Sequence, residues 1–584
     1  MTPIRYNRLL LLVAGLGGLL YGVDVGIIAG ALPYLEATSG FGAGQLSFVV
    51  AAVLLGSVVS TLFAGMLADL FGRRPMMVVS GLLFAASIPI IAGSHGYGPL
   101  ILGRLLQGAS GGFIGVVVPL YLAECLGPSE RGRGTGIFQW LLTLGIVAAA
   151  LLGMYFSMRV RDVAALGDAH RLLAFKDTAW RSIFWGSFPP GLLFVLGGLA
   201  VAESPRWLHR RGRREAARAA LLRSRTAEQA ELELREMDFV EGPGAAGPAT
   251  RESLAQRKYV VPFVLACVIL ACNQTTGVNS ILGYNTTILL QSGLSDTEAH
   301  WGYVILATVN FVLTIGGVAL VDRRGRKYLL SLGSAGIVVS LLLVGLLFRQ
   351  TEKRSVDARA AVQALVAGDP RLTFDQATAD RLLAATGGAA LVGKPVGMVV
   401  IYSYGDFRAA TAVLRSGDAA AVPVAFAREA CVPSNRVIAF FSRPLADLDR
   451  ARRADLRIES ALITPVPGEM NGWLTASLLF CFMGFFAVGP GVCVWLALSE
   501  LMPTRIRPNG MSVALLINQT VSTAIAATFL PTVGRFGYST VFFAFAGFTV
   551  LYFVTATFFL PETKGRTLEE IEELFEKRRP AGGR

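Results

Sequence analysis

Charge is in short supply in this chain. Asp, Glu, Lys and Arg make up 16% of its 584 residues, whereas a water-soluble protein carries about 25%. With 53% hydrophobic residues, that shortage excludes both a soluble globule and a disordered chain. Histidine is scarce too, and His95, His170, His209 and His300 are scattered. The cysteines, Cys125, Cys267, Cys272, Cys431, Cys481 and Cys493, form no CxxC or Cys/His cluster. No disulfide framework, metal site or cofactor is therefore expected. The first apolar run is too long for a signal peptide and is expected to remain as a membrane span. The excess of basic residues, a formal +13, falls in short clusters between apolar runs. Such clusters set topology and meet anionic lipid, so no nucleic-acid partner is expected.

What is present is apolar runs of membrane-spanning length. Twelve helices are predicted at 9–35, 45–68, 75–95, 98–124, 134–157, 180–201, 259–290, 301–321, 328–348, 472–500, 509–533 and 538–560. The basic clusters at Arg5/Arg8, Arg73/Arg74, Arg131/Arg133, Arg210 to Arg214, Arg323 to Lys327, Arg505/Arg507 and Lys577 to Arg579 then fall on one side. Both termini are expected in the cytoplasm, with the protein in the plasma (inner) membrane. One predicted external loop, 158–179, dissents by holding Arg159, Arg161, Arg171 and Lys176. The expected organisation is a six-helix bundle (1–201), a cytoplasmic helical linker (202–258), helices seven to nine (259–348), an external insert (349–470), helices ten to twelve (471–560) and a cytoplasmic tail (561–584).

The halves repeat each other. Asp69-Leu-Phe-Gly-Arg73-Arg74 after span two is answered by Asp322-Arg-Arg-Gly-Arg326-Lys327 after span eight, an offset of 253. Glu124 with Arg131 is answered by Glu500 with Arg507, an offset of 376, and Glu203-Ser-Pro-Arg206 by Glu562-Thr-Lys564. Two parallel six-span repeats are the plan of a transporter that rocks around a midplane site. The two offsets differ by 123 residues, which locates the insert between spans nine and ten. Helix-like runs at 355–367, 373–386 and 406–416 and strand-like runs at 396–404 and 435–442 predict a small α/β unit there. With no His and one Cys, it lacks the residues for Ser–His or His–metal catalysis, and no enzyme is expected.

Few ionisable residues lie within the spans. Asp24 is roughly 16 Å and Arg104 roughly 9 Å from the outer surface, at 1.5 Å per residue. They read either as a proton-coupling pair or as a static ion pair that fixes helix packing. Gln139, Asn273, Gln274, Asn279, Asn310 and Asn518 offer amides to a hydroxyl-rich ligand, and Trp495 an aromatic face for a sugar ring. The same residues are equally able to serve as interhelical hydrogen bonds and packing. The clusters of Asp69, Arg73, Arg74, Glu124, Arg131, Glu203, Arg206, Asp322, Arg326, Glu500 and Arg507 read as topology signals and as ion pairs that lock the cytoplasmic end.

GxLADLFGRRP (65–75), GR (103–104), Pro119-x-Tyr121-x-x-Glu124 with Arg131-Gly132, ESPRWL (203–208), Gln274 with Gly277-x-Asn279, DRRGRK (322–327), GPGVCVW (489–495), SELMPTRIR (499–507) and PETKG (561–565) occur in this order. In these motifs the chain resembles the sugar porter family of the major facilitator superfamily, everywhere except the insert. The resemblance implies an all-α membrane protein with twelve helices in two pseudo-symmetric bundles. It implies sugar contact at Gln139, Gln274, Asn279, Asn310, Trp495 and Asn518, and proton coupling at Asp24 and Arg104. Facilitative glucose carriers have an amide at the Asp24 position, so the carboxyl points to symport of a monosaccharide with a proton. A uniporter on the same fold and a sugar sensor using the insert are the alternatives. Asn273 for a usual Gln, Gly283-Tyr284 for a usual Tyr pair and Gln519 for a usual Trp depart from the pattern.

Overall fold

The structure, a computed structural model, describes residues 3–126, 128–241, 257–411, 413–417, 423–432, 436, 446–502, 507–562 and 575. The side chains of 128–135, 236, 239–241, 257–258, 322, 495–500, 507–509 and 512 lie outside that description. Eleven helical segments among the described residues are long and apolar enough to cross a membrane.

The first half comprises α1 (Pro3–Ser39), α2 (Ala43–Phe71), α3 (Arg73–Ala92), α4 (Tyr97–Cys125), α5 (Pro128–Ala164), and α6 (Ala169–Trp185) continued by α7 (Phe188–Ala200). Small residues let α1 lie directly on α5: a Cβ at Gly22 would run into the Leu142 carbonyl. The expected loop at 158–179 is corrected. Arg159 and Arg161 lie on α5 and Arg171 and Lys176 on α6, so only 165–168 connect the two helices. Three short helices follow, α8 (Pro205–Arg210), α9 (Arg214–Ser224) and α10 (Ala227–Glu241), with a small core of their own around Trp207, Leu221 and Leu234.

The second half begins with α11 (Arg257–Thr275), α12 (Val278–Gly283) and α13 (Asn285–Gln291), then α14 (Asp296–Arg324) and α15 (Arg326–Glu352). The single helix expected over 259–290 is thus broken twice. Gly277 takes the left-handed φ of 80°, which ends α11, and the chain bends again at Tyr284.

Between Glu352 and Glu469 the chain folds as a separate α/β unit. Its elements are β1 (Val356–Asp357), α16 (Arg359–Val366), β2 (Arg371–Leu372), α17 (Gln376–Ala385), β3 (Val396–Tyr404), β4 (Phe407–Ala410), β5 (Leu414–Arg415), β6 (Val424–Ala425), α18 (Arg428–Cys431), α19 (Leu448–Ala451) and β7 (Leu456–Pro465). The main sheet runs β1-β7-β3-β4, with β5 also on β3 and every pair antiparallel. Alternating Val396, Met398, Val400 and Tyr402 face a core shared with Val362, Leu382 and Ile463. The helix expected at 406–416 is instead β4 and β5. Gly405, at φ 59°, turns the chain so that Tyr404 pairs with Phe407, which no helix permits. The strand expected at 435–442 lies outside the described residues apart from 436.

The last helices are α20 (Glu469–Val488), α21 (Pro490–Leu501) and α22 (Arg507–Val554). α22 loses helical geometry at Gly537, φ 83°, where two helical segments meet. The Glu352 carboxylate accepts from the Ser539 N–H at 3.1 Å and from its hydroxyl, holding the start of the second segment. α2 packs along α22 and α5 along α14, forming the seams between the halves. Hydrogen bonds cross these seams toward the end that bears the insert: Tyr34 and Ser157 to Asp296, Tyr303 to the Gly26 carbonyl, Leu530 N–H to Ser47. Ala410 of β4 meets both halves there. A Cβ on Gly42 would lie 3.2 Å from its carbonyl oxygen, and one on Gly534 3.5 Å from its methyl.

Candidate functional site

At the end away from the insert, the two halves use one device twice. Glu203 accepts from the backbone N–H groups of Arg73 (3.0 Å) and Arg74 (3.2 Å), at the start of α3. Glu562 accepts from those of Arg326 (3.1 Å) and Lys327 (3.3 Å), at the start of α15. Gly72 and Gly325 precede them at φ 105° and 88°. Free N–H groups and the helix dipole make each helix start a natural carboxylate site. Burial holds the Glu203 carboxyl above the ordinary glutamate range, against the pull of these backbone donors.

Arg73 is buried beside them, 2.7 Å from Asp69, 2.8 Å from Glu124 and 3.0 Å from the Ala68 carbonyl. Arg210 of the linker joins Glu124 at 3.1 Å, and the Ser204 hydroxyl bonds the other Glu124 oxygen. Arg74 donates to the carbonyls of Gly198 and Leu199, and Arg206 is exposed. These members tie α2, α4 and the linker together within one half. The side chains of Arg131, Asp322, Glu500 and Arg507 lie outside the described residues.

Deeper in the bundle, Asp24 on α1 is 2% exposed and Arg104 on α4 is 1% exposed. They do not form the ion pair that one reading of the sequence foresaw. The Arg104 guanidinium donates to Gln107 Oε1 at 2.6 Å and to the Val49 carbonyl at 3.3 Å, and lies 5.5 Å from the Phe184 ring centre. Arg104 remains the charge that acts on Asp24. Arg104, Gln107 and Gly111 follow one face of α4 at helical spacing, and a Cβ at Gly111 would lie 3.0 Å from Asp24 Oδ2. The carboxyl therefore sits about two turns along α4 from Arg104, with Gln107 between them. Asp24 Oδ1 and Gln107 Nε2 are both buried without a hydrogen-bond partner. A buried carboxyl with an unpartnered oxygen is stabilised either by binding a proton or by a cation brought close to it.

The amides gather at the breaks in the second half. Gln274 donates to Asn518 Oδ1 (3.1 Å), Asn279 donates to Gln274 Oε1 (2.9 Å) and Ser522 Oγ (2.7 Å), and Asn518 donates to the Leu270 carbonyl (3.0 Å). Asn273 Oδ1 is buried and unpartnered. Gln139 on α5 and Asn310 on α14 carry amides with no hydrogen-bond partner among the described residues. The Trp495 side chain lies outside the described residues. The chain also breaks at Gly489, just before Pro490 and two turns from Trp495.

Sequence reasoning missed Gln107, which holds Arg104, and the run Asn285-Thr286-Thr287, whose side-chain polar atoms are buried and unpaired. An amide one helical turn from an intramembrane arginine, and three consecutive polar residues in an apolar span, were the available signals.

Residues 10–367 and 461–575 match the family profile described as "Sugar (and other) transporter". The unmatched stretch between them falls within the α/β unit. The human proton myo-inositol cotransporter is 28% identical over 585 residues, covering 97% of this chain and 81% of that protein. The arabinose-proton symporter of Bacillus subtilis is 30% identical over 338 residues, covering 57% and 70%. Among solved structures, the xylose transporter XylE from E. coli, in a partially occluded inward open conformation, superposes with a TM-score of 0.63 at 19% identity. That superposition covers 96% of this chain and 100% of XylE, which is elsewhere described as a major facilitator superfamily proton:xylose symporter.

Proposed function

The chain belongs to the sugar (and other) transporters of the major facilitator superfamily, and from that premise we propose that it imports a monosaccharide with a proton. The observation that carries this reading is the intramembrane acid with a separated base: Asp24, one oxygen unpartnered, and Arg104 held off by Gln107. Counting the segments on either side of Gly537 separately gives twelve spans. Residues 1–201 and 259–560 then form two bundles that rock about a midplane site, with the insert outside and both termini in the cytoplasm. Gln139, Asn273, Gln274, Asn279, Asn310, Trp495 and Asn518 receive the sugar, and the buried amides at the breaks of α11 and α12 support that assignment. In the outward-open state Asp24 takes a proton and Arg104 stays with Gln107. With sugar bound, the neutral acid lets the halves close. On the inner side Arg104 returns to the carboxylate and the proton leaves.

Uptake into proteoliposomes against a sugar panel, with and without an imposed pH gradient, tests the reading. One sugar should accumulate only with the gradient. Asp24→Asn fixes the neutral form, so it should still exchange sugar across the membrane but not concentrate it. Accumulation by Asp24→Asn equal to wild type would replace the symporter with a uniporter.

A further inference from the structure

His300 lies one turn into α14, at the seam between the halves, and is 0% exposed. Its Nδ1 is 2.8 Å from the Asp296 carbonyl oxygen, and its Nε2 is 3.3 Å from the Gly30 carbonyl oxygen of α1. Carbonyl oxygens only accept. A neutral imidazole has one N–H and would set its remaining lone pair against a carbonyl, whereas an imidazolium donates to both. A counter-charge is in place: Asp296 Oδ1 is 3.7 Å from Nδ1. The other carboxylate oxygen accepts from the Tyr34 hydroxyl at 2.9 Å and from Ser157 at 2.6 Å.

The ring is closely packed. It stacks on Tyr34 with centres 5.6 Å apart and planes 7° from parallel. A Cβ at Gly153 of α5 would lie 3.0 Å from Gly30 Cα and 3.5 Å from the ring. Among the described residues, the titratable groups in contact with it are Asp296 on its own helix and Tyr34 on α1. From α5 the neutral Gly153 lies beside it, and Ser157 bonds Asp296. Every one of these contacts except that with Asp296 joins one half to the other.

We propose that His300 is a second proton-binding residue, separate from Asp24, whose protonation closes the insert-bearing end of the transport path. One proton moves from water to the ring nitrogen as the halves meet. It returns to water on the same side when they part, so it gates the path and is not carried across. This goes beyond the symport reading and holds even if Asp24 carries no coupled proton. Linkage of one proton to closure changes the closed-to-open ratio by up to about tenfold per pH unit.

The experiment uses the full chain in nanodiscs, with Asp24→Asn to remove the other intramembrane acid and Cys481→Ser to remove the exposed thiol. Spin labels at His95→Cys and Met470→Cys, exposed positions on the two halves at this end, report opening as a distance distribution. Between about pH 5.5 and 8.5, where histidine titrates, the closed fraction should fall as pH rises. His300→Gln and His300→Asn should each leave it flat. A flat profile with His300 intact overturns the proposal, as does an equal slope in either variant that still binds sugar. Hydrogen exchange at imidazole C2, read for His300 in the unsubstituted chain, gives the same answer without a substitution. The ring must gain its proton in step with closure, and a ring that stays neutral in the closed state also overturns it.

Discussion

An amide buried among apolar helices is stabilised by a hydrogen-bond partner, and around Gln274 the partners are other amides. Gln274 sits at the centre, giving to Asn518 and taking from Asn279. Sugar hydroxyls would enter by replacing these bonds one for one, which preserves every partner and so costs little. Gln274→Ala removes that exchange and leaves its neighbours unsatisfied. Sugar affinity should weaken by about 1–3 kcal/mol, measured by equilibrium binding on the purified protein. Unchanged affinity would remove Gln274 from the site. Asp24 and Arg104 were legible in the sequence because charge inside a bilayer is rare enough for each instance to be informative. Their separation was not, since it depends on where a third side chain, Gln107, directs its oxygen. His300 was dismissed as scattered because the residues that give it meaning, Gly30 and Tyr34, are 270 and 266 positions away.

At the scale of the helix, hydropathy located almost every span but hid the interruptions. Averaging over a window of helix length hides one glycine at φ 80° and one Gly-Pro step, although the polar residues cluster at the first of these breaks, around Gly277. In the insert, Phe407, Ala410 and Leu414 have near-helical spacing, and the turn at Gly405 decides against it. β7 was overlooked because its alternation is disturbed by the register shift opposite Ile401 and Tyr402. The repeat motifs were legible, yet their role as helix caps was not, since Glu203 lies 130 residues from the helix it caps. Glu203→Ala and Glu562→Ala should each destabilise the protein by about 1–3 kcal/mol, because each strands two partly buried N–H groups. Thermal unfolding in detergent measures this. A large loss in one variant and none in the other would mean that the two caps are not equivalent.

For the molecule as a whole, the insert is attached at its own ends and, among the described residues, through Ala410 against Gly42 and Gly534 and Val399 against Gly534. Joining Lys353 to Gly468 with a short turn deletes it while keeping Glu352, which anchors Ser539. That variant should still take up sugar, and its insert-bearing end should open more readily, because Ala410 no longer touches Gly42 and Gly534. Loss of all uptake in a correctly inserted deletion would give the insert a part in transport itself. The side it occupies should be read with Gly368→Cys, an exposed position. Cys431 is unsuitable: it is buried, and burial pushes its thiol up to about 11. One feature of the unit reaches beyond transport. β1 and β7 pair, Val356 opposite Ile463 and Asp357 opposite Leu462, so the chain leaves the insert beside the place where it entered. A domain whose ends already touch imposes almost no stretch on the loop that carries it, and loop ends held together make insertion tolerable. The connection between α15 and α20 is therefore a socket. An enzyme, a fluorescent reporter or an affinity module with adjacent termini can be plugged in where the native unit sits, leaving the helices around it in register.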